Sequence, residues 1–226
     1  MNKRELRQLL CSMLLGDGCI SNETKTCAPI FRLHHSIKQK EYALWKAEEI
    51  DKIFRKKNLT RCCNIREGKT KDSKGNWHQT IYIHLAWAKY MRLLRRKTYD
   101  YKGIKNVQFL LKHCVSPKHL AIWFMDDGSE YRQKKKHIDG TEYFGNPILY
   151  LHTCSFTEGQ INLIIEWFKQ KYNITPKIVR TSKKQGSKPR LRFVTEDSRK
   201  IFNIIRPYVN QFEFMKHKFR SSFERY

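Results

Sequence analysis

Apolar residues recur along the chain at two spacings, one typical of helices and the other typical of strands. In the stretch 4–16, steps of three, one, three and one residues predict an apolar helical stripe made of Leu6, Leu9, Leu10, Met13 and Leu14. Asp17-Gly18 ends this helix. Alternation of apolar and polar positions predicts a strand over 30–35. The other elements predicted for the first half are strands over 19–22, 61–66 and 78–85 and helices over 38–57 and 86–96, with a polar hairpin loop over 67–76.

The second half repeats this order of elements. Ser116-Pro117 supplies an N-cap and a first-turn proline for a helix that ends at Asp127-Gly128. The remaining predictions are strands over 129–135, 148–153, 177–180 and 190–194, a helix that begins at Thr157, and a helix over 196–205 that ends before Pro207. The sequence LHHS at 33–36 also matches LHTCS at 151–155. We interpret the chain as an internal duplication, with one lobe over 1–100, a linker over 101–115 and a second lobe over 116–226.

The charge of the chain points to a polyanionic partner. Its 46 lysines and arginines exceed its 21 acidic residues by 25. Both halves contribute, since residues 1–113 carry 25 basic and 10 acidic residues and residues 114–226 carry 21 and 11. A folded basic surface on two lobes favours nucleic-acid binding, whereas adhesion to a membrane surface is the weaker alternative. The seven cysteines form no C-x-x-C pair, and we expect them to be reduced.

Two matching helices end in an acid and a glycine. They are LCSMLLGDG at 10–18 and LAIWFMDDG at 120–128, in which Asp17 matches Asp127. Small residues, namely Cys11, Ser12, Gly16 and Ala121, would let two such helices pack side by side and bring both acids together. Two close carboxylates repel each other unless a divalent cation with oxygen ligands lies between them. This pattern predicts a metal-dependent nuclease, and the alternative is that each Asp-Gly only caps its helix.

These motifs resemble those of the LAGLIDADG homing endonucleases that carry two copies in one chain, and WFMDDG is similar to the second motif of the yeast mitochondrial intron enzymes. The resemblance implies an α+β fold of two pseudo-symmetric αββαββα lobes whose saddle-shaped antiparallel sheets straddle DNA. It also implies a role for Asp17 and Asp127 in catalysis and metal binding, with the preceding Gly16 and Asp126 as further metal ligands.

The family also places a basic residue near the end of each lobe. In the first lobe the resemblance offers Lys102, with Lys105 as the alternative, and in the second it offers Lys216, with Lys218 as the alternative. We choose Lys102 and Lys216 as the catalytic pair because they follow Asp17 and Asp127 by similar distances, 85 and 89 residues. A simple phosphate contact stays open for either lysine.

Strand parity predicts which side chains face the DNA, because neighbouring strand residues point to opposite faces. In the first lobe these are Arg32, His34, Asn64, Arg66, Tyr82 and His84. In the second lobe they are Tyr150, His152, Lys177, Arg180, Arg190 and Arg192. Lysines of the hairpin tips are predicted to contact phosphates, and they are Lys69, Lys71, Lys74, Lys183, Lys184 and Lys188.

The resemblance implies a monomeric, Mg²⁺-dependent endonuclease that cuts both strands of a long asymmetric DNA target and leaves short 3′ overhangs. Mn²⁺ is expected to replace Mg²⁺, and Ca²⁺ is expected to bind without supporting cleavage. The alternatives are an intron maturase that binds RNA and a catalytically inactive DNA-binding regulator. We expect no membrane partner and no intein chemistry, and we favour synthesis inside a mitochondrion or chloroplast, with a bacterial or phage origin as the alternative.

Overall fold

The computed structural model describes residues 2–55, 62–181 and 186–223. The chain divides into two units, Met1–Val115 and Ser116–Tyr226. None of the helices in the described ranges combines the length and the apolar character that a membrane crossing requires.

The first unit is a four-stranded antiparallel sheet with helices. Its elements are α1 (Lys3–Leu15), β1 (Cys19–Ile20), β2 (Phe31–Ser36), α2 (Lys40–Arg55), β3 (Cys63–Lys71), β4 (Trp77–Leu85), α3 (Ala88–Thr98) and α4 (Val107–His113). The strand order in the sheet is β1-β2-β4-β3. Helix α1 begins at the N-cap Asn2, whose side chain accepts hydrogen bonds from the backbone N–H groups of Arg4 and Glu5. The apolar stripe predicted for α1 is buried throughout.

The second unit repeats this arrangement. Its elements are α5 (Pro117–Asp127), β5 (Gly128–Tyr131), β6 (Lys134–Lys136), β7 (Glu142–Phe144), β8 (Ile148–His152), α6 (Glu158–Tyr172), β9 (Lys177–Arg180), β10 (Pro189–Arg192), α7 (Thr195–Val209) and α8 (Arg220–Phe223). The strand order β5-β8-β10-β9 matches that of the first sheet, and β6 and β7 form a separate hairpin. The two units therefore confirm the predicted αββαββα duplication.

The main differences between the structure and the predicted elements lie at four places. Strand β3 extends to Lys71, so the hairpin turn is shorter than the predicted loop over 67–76. The segment 101–115, predicted as a linker, belongs to the first unit, because its helix α4 buries apolar residues and packs against α1. Pro207 lies inside α7, in its last turn, where the helix continues to Val209. The strand predicted over 129–135 divides into β5 and β6, and β7 pairs with the latter.

Candidate functional site

The two motif acids lie at the C-terminal ends of α1 and α5. Asp17 follows the C-cap Gly16, and Asp127 is the last residue of α5. The C-terminal end of a helix carries partial negative charge, so an acid is unfavourable there unless a cation compensates it. Neither helix has a basic residue in its own last turn. The compensating charge must therefore come from elsewhere in each unit or from a bound cation.

The glycine of each motif lets the chain turn tightly against the end of its helix. A Cβ at Gly18 would lie 2.7 Å from the carbonyl oxygen of Met13, and one at Gly128 would lie 2.4 Å from that of Phe124. The backbone N–H of each glycine donates a hydrogen bond to the same carbonyl. The Asp-Gly pairs thus do cap their helices, and this role accompanies the exposure of the acids rather than excluding it.

A distant lysine contacts the end of each motif helix. Nζ of Lys105 donates to the carbonyl oxygen of Gly16 at 3.2 Å, across 89 residues of sequence. Nζ of Lys218 donates to the carbonyl oxygens of Met125 and Asp126, both at 2.8 Å. Gly16 and Asp126 are equivalent residues of the duplicated motif, since each precedes the matching acid. The same ammonium–carbonyl contact therefore occurs at the acidic end of both motif helices.

The first-choice lysines lie in other surroundings. The ammonium of Lys102 lies 5.5 Å from the ring centroid of Tyr101, in an exposed turn. The ammonium of Lys216 forms an ion pair with Glu213 at 2.7 Å. Of the two lysines that the sequence offered in each lobe, the structure thus places Lys105 and Lys218 beside the motif acids. Lys105 follows a turn and Lys218 follows a short 3₁₀ helix over Glu213–His217, and neither segment has a hydrophobic period that distinguishes between the alternatives.

The motif ends offer oxygen atoms that suit a hard divalent cation. The Asp17 side chain is 37% exposed, and Asp127 is half-buried. A carbonyl oxygen has two lone pairs, so the Gly16 and Asp126 carbonyls can in principle accept a cation as well as a lysine. Carboxylate and carbonyl oxygens are the ligands that Mg²⁺, Mn²⁺ and Ca²⁺ prefer. These donor sets fit the predicted cation, with Asp17 and Gly16 in the first unit and Asp127 and Asp126 in the second.

His35, which belongs to neither motif helix, lies beside the first motif acid. Nδ1 of His35 is 3.7 Å from Oδ2 of Asp17, and the imidazole is fully buried. A signal was present in the sequence, because LHHS has two adjacent histidines where LHTCS has one. Sheet parity points His34 and His35 to opposite faces, so only the second of them reaches the acid.

The predicted DNA-facing residues of the first unit share one face of its sheet. The register pairs Arg32 with His84 and His84 with Asn64, and in the neighbouring row it pairs His34 with Tyr82 and Tyr82 with Arg66. The rings of His34 and Tyr82 stack with centroids 4.5 Å apart. Burial, together with the charges of Arg32 and Arg66, lowers the pKa of His84 below its ordinary value. The face therefore combines basic side chains with a neutral imidazole.

Five of the six residues predicted for the second face also share one side of their sheet. The register aligns Tyr150, Arg192 and Lys177 in one row and His152 with Arg190 in the next. The Arg190 guanidinium lies 4.0 Å from the ring centroid of Tyr150. Within the described ranges, the buried Nε atoms of Arg190 and Arg192 have no hydrogen-bond acceptor.

Arg180 departs from its predicted face. Arg180 pairs with Pro189, and Pro189 lies on the same face of the sheet as the buried Leu191, two residues further along β10. Arg180 therefore lies on the face opposite to that of Arg190 and Arg192. Arg180 lies three residues from Lys177, and residues of one strand that are an odd number of positions apart point to opposite faces. The guanidinium donates instead to the carbonyl oxygen of Ser187, at the end of the hairpin.

Burial also keeps the histidine of the second face neutral. It lowers the pKa of His152 below its ordinary value, and the charges of Arg190 and Lys218 lower it further. Ser129 Oγ lies 3.1 Å from Nε2 of His152, across the β5–β8 pair.

The hairpin lysines occupy several positions. Lys69 and Lys71 lie within β3, opposite Gln79 and Trp77, and not in the turn. Lys74 lies in the turn itself, where its backbone N–H donates to Asp72. Lys188 is exposed beside Thr181. Lys183 and Lys184 lie outside the described residues.

Comparison with known proteins agrees with the fold. A solved structure of the homing endonuclease I-WcaI bound to its DNA recognition sequence matches with a TM-score of 0.70 and 22% identity, covering 96% of this chain and 86% of that one. The structure of I-DmoI in complex with DNA and Mn matches with a TM-score of 0.50 and 10% identity, covering 90% of this chain and 97% of that one. Both likenesses are likenesses of fold.

Two curated relatives are similar in sequence over part of their length. Protein RecA of Mycolicibacterium flavescens is 25% identical over 203 residues, which cover 89% of this chain and 44% of that protein. The probable intron-encoded endonuclease 1 of Wickerhamomyces canadensis is 28% identical over 133 residues, or 59% of this chain and 51% of that protein. The chain thus spans about half the length of these relatives. The model of the LAGLIDADG DNA endonuclease family matches residues 7–201. The chain therefore belongs to the LAGLIDADG DNA endonuclease family.

Proposed function

We propose that the protein is a site-specific, divalent-metal-dependent DNA endonuclease that cuts both strands of a long asymmetric target and leaves short 3′ overhangs. The observation that carries this proposal is the repeated motif end. In each unit an exposed or half-buried acid, a backbone carbonyl and a lysine ammonium occur together where the helix itself disfavours negative charge. A helix cap alone requires neither the acid nor the lysine.

The residues divide the chemistry between them. Asp17 with Gly16, and Asp127 with Asp126, would hold the cation. A bound Mg²⁺ supplies a Lewis acid that polarises the scissile phosphate and lowers the pKa of a water molecule. Lys105 and Lys218 keep a positive charge beside each acid, where it opposes the negative charge that develops on the phosphate during hydrolysis. We further propose that these two lysines, and not Lys102 and Lys216, are the catalytic basic residues.

The two basic sheet faces support DNA as the partner. The rows that carry Arg32, Arg66, Lys177, Arg190 and Arg192 contain no aspartate or glutamate. Arginine recognises guanine through two hydrogen bonds in the major groove, and asparagine recognises adenine in the same way. The two faces differ in sequence, so the target is expected to be asymmetric and a monomer is expected to suffice.

The test separates binding from cutting. The double variant Asp17→Asn and Asp127→Asn is used to select a binding sequence from random duplex DNA, and the selected duplex is then given to the wild type with Mg²⁺. We expect the wild type to cut this duplex in both strands and each single Asp→Asn variant to bind it without cutting. Glu196→Gln, an exposed acid of α7 outside both motifs, is the matched control and should cut normally.

Two results would contradict the proposal. If wild type and Asp→Asn variants bind the selected duplex and none of them cuts it with Mg²⁺ or Mn²⁺, the protein is a DNA-binding regulator. If no duplex is selected and the protein retains structured intron RNA instead, the maturase alternative replaces it. Sequencing the cut ends measures the overhang directly.

A further inference from the structure

A lysine is completely buried in the first unit. Lys46 has 0% of its surface exposed, on the side of α2 that also buries Ala43, Ala47 and Ile50. Lysine is almost never fully buried unless its ammonium is paired, because removing the charge from water is costly. The position therefore requires a specific interaction, and helical periodicity alone would have placed an apolar residue there.

The ammonium of Lys46 contacts the histidine that lies beside the first motif acid. Its Nζ is 3.3 Å from Nε2 of His35 and 4.4 Å from the ring centroid of Tyr42. On the other side of the imidazole, Nδ1 lies 3.2 Å from Oε1 of Gln39 and 3.7 Å from Oδ2 of Asp17. Three elements, β2, the turn before α2 and α2 itself, thus converge on one buried ring.

The donor inventory decides how the ring is oriented. An ammonium has three N–H donors and no acceptor, so Nε2 of His35 must accept and Nδ1 must carry the ring proton. We propose that Lys46 is a positioning residue, which fixes His35 in the tautomer whose Nδ1–H faces Gln39 and Asp17 and thereby holds the Asp17 carboxylate in its cation-binding orientation. The inference deepens the proposed function and rests on it for the role of Asp17. The hydrogen bond of Nδ1–H goes to Gln39 at 3.2 Å, and at 3.7 Å the contact with Asp17 is electrostatic, from the positive side of the fixed ring. Outer contacts of metal ligands commonly tune those ligands by fixing their surroundings.

Among its described residues, the second unit lacks this arrangement. His34 and His152 match in the duplication with an offset of 118 residues, and the same offset places Thr153 opposite His35 and Ile164 opposite Lys46. Thr153 Oγ1 donates to the carbonyl oxygen of Pro189, and Ile164 is fully buried. The contact of Lys46 with His35 therefore acts on the first motif acid alone, and its loss should affect the two motif sites unequally.

The first test measures the tautomer without any reaction. Two-bond ¹H–¹⁵N correlation spectra of the histidine side chains distinguish a protonated Nδ1 from a protonated Nε2, and the His35→Gln variant assigns the His35 signals. We expect wild-type His35 to carry its proton on Nδ1 and to accept at Nε2, and we expect Lys46→Met to give a mixture of both tautomers. Lys52→Met, which removes an exposed ammonium from the same helix, should leave the wild-type signals unchanged. An Nε2–H tautomer in the wild type would overturn the proposal even if the variant failed to fold.

The second test measures the cation and the two strands. Calorimetric titration with Mn²⁺ alone should show one cation weakened by about 10- to 100-fold in Lys46→Met, the range that outer-contact substitutions produce at metal sites. Cleavage of supercoiled plasmid carrying the selected target should then stop at the nicked circle, because one strand is cut more slowly than the other. Equal slowing of both strands, or unchanged Mn²⁺ affinity in a folded variant, would refute the positioning role. A wild type that shows the expected tautomer and binds no Mn²⁺ would instead refute the proposed function.

Discussion

Replacing Gly128 with alanine tests the tight turn that presents the second motif acid. The new methyl carbon would lie 2.4 Å from the carbonyl oxygen of Phe124 and 2.9 Å from Cζ of Phe219, closer than Cβ atoms come to such atoms in folded proteins. It would also lie 3.0 Å from Cδ1 of Phe124, which is a tight contact. The carbonyl is held by the last turn of α5 and Phe219 is fully buried, so neither neighbour can move freely. Overpacking of this kind costs about 1–3 kcal/mol. We expect the free energy of unfolding to fall by about 2–3 kcal/mol, because one of the contacts is with backbone.

The matched control is Gly159→Ala in the same unit. Gly159 lies in the first turn of α6, and a Cβ there would meet no atom within 4 Å. This substitution should raise stability by about 0.4–1 kcal/mol, because alanine restricts the unfolded chain more than glycine does. Urea denaturation followed by circular dichroism measures both variants. The steric reasoning is refuted if Gly128→Ala unfolds within 0.5 kcal/mol of the wild type, or if both alanines shift the midpoint in the same direction.

Three further predictions concern charge. Lys218→Met should reduce the cleavage rate by about 100-fold at unchanged DNA affinity, because an active site loses a preorganised cationic donor. Lys216→Met should keep the cleavage rate within about threefold of the wild type. Single-turnover rate measurements compare the two variants. Arg192→Ala should relax the base preference in the selected duplex and weaken the binding free energy by about 1–3 kcal/mol. Arg180→Ala, on the other face, should change only the salt dependence of binding. Filter binding at several salt concentrations measures both effects. Burial lowers the pKa of His119 from 6.5 to about 4, so this group stabilises the fold above pH 6.5 and loses its contribution, about 3 kcal/mol, as the pH falls from 6.5 to 4. A His119→Phe variant should lose less stability over that pH range, and parallel slopes for both proteins would contradict the assignment.

Periodicity predicted the parts of the fold that repeat with a regular spacing. The apolar stripe of α1 and the shared face of Arg32 and His84 follow from periods of 3.6 and 2. The N-caps of α5 and α6, Ser116 and Thr157, follow instead from the residue types that helix starts favour. The β6–β7 hairpin was missed because none of its six residues is buried, so it carries no alternation of buried and exposed positions. Proline usually ends a helix, and the sequence therefore predicts an end before Pro207, whereas α7 continues through Pro207 to Val209.

The site was predictable only as far as its local motifs. Asp17 and Asp127 stand out because each occurs within a nine-residue pattern that repeats. The partners of these acids come from remote segments, and a chain with 46 basic residues offers no local criterion for selecting Lys105 or Lys218. Lys46 was missed for the opposite reason, since a lysine on a helix is normally assigned to the solvent and its burial is a tertiary property.

The order of residues along the chain makes each motif end depend on the folding of its whole unit. In the first unit the lysine follows the contacted carbonyl by 89 residues, and in the second it follows Asp126 by 92. Until those residues fold into place, each motif helix has an acid at its negative end and no lysine to compensate it. The lysine therefore contributes to stability and chemistry through the same contact. It lowers the electrostatic cost of an acid at a helix C-terminus, and through the backbone carbonyl it keeps a positive charge beside the proposed cation ligands. A neutral residue in place of the acid would remove that cost, so stability alone does not explain why both motifs end in aspartate, whereas the proposed cation binding does.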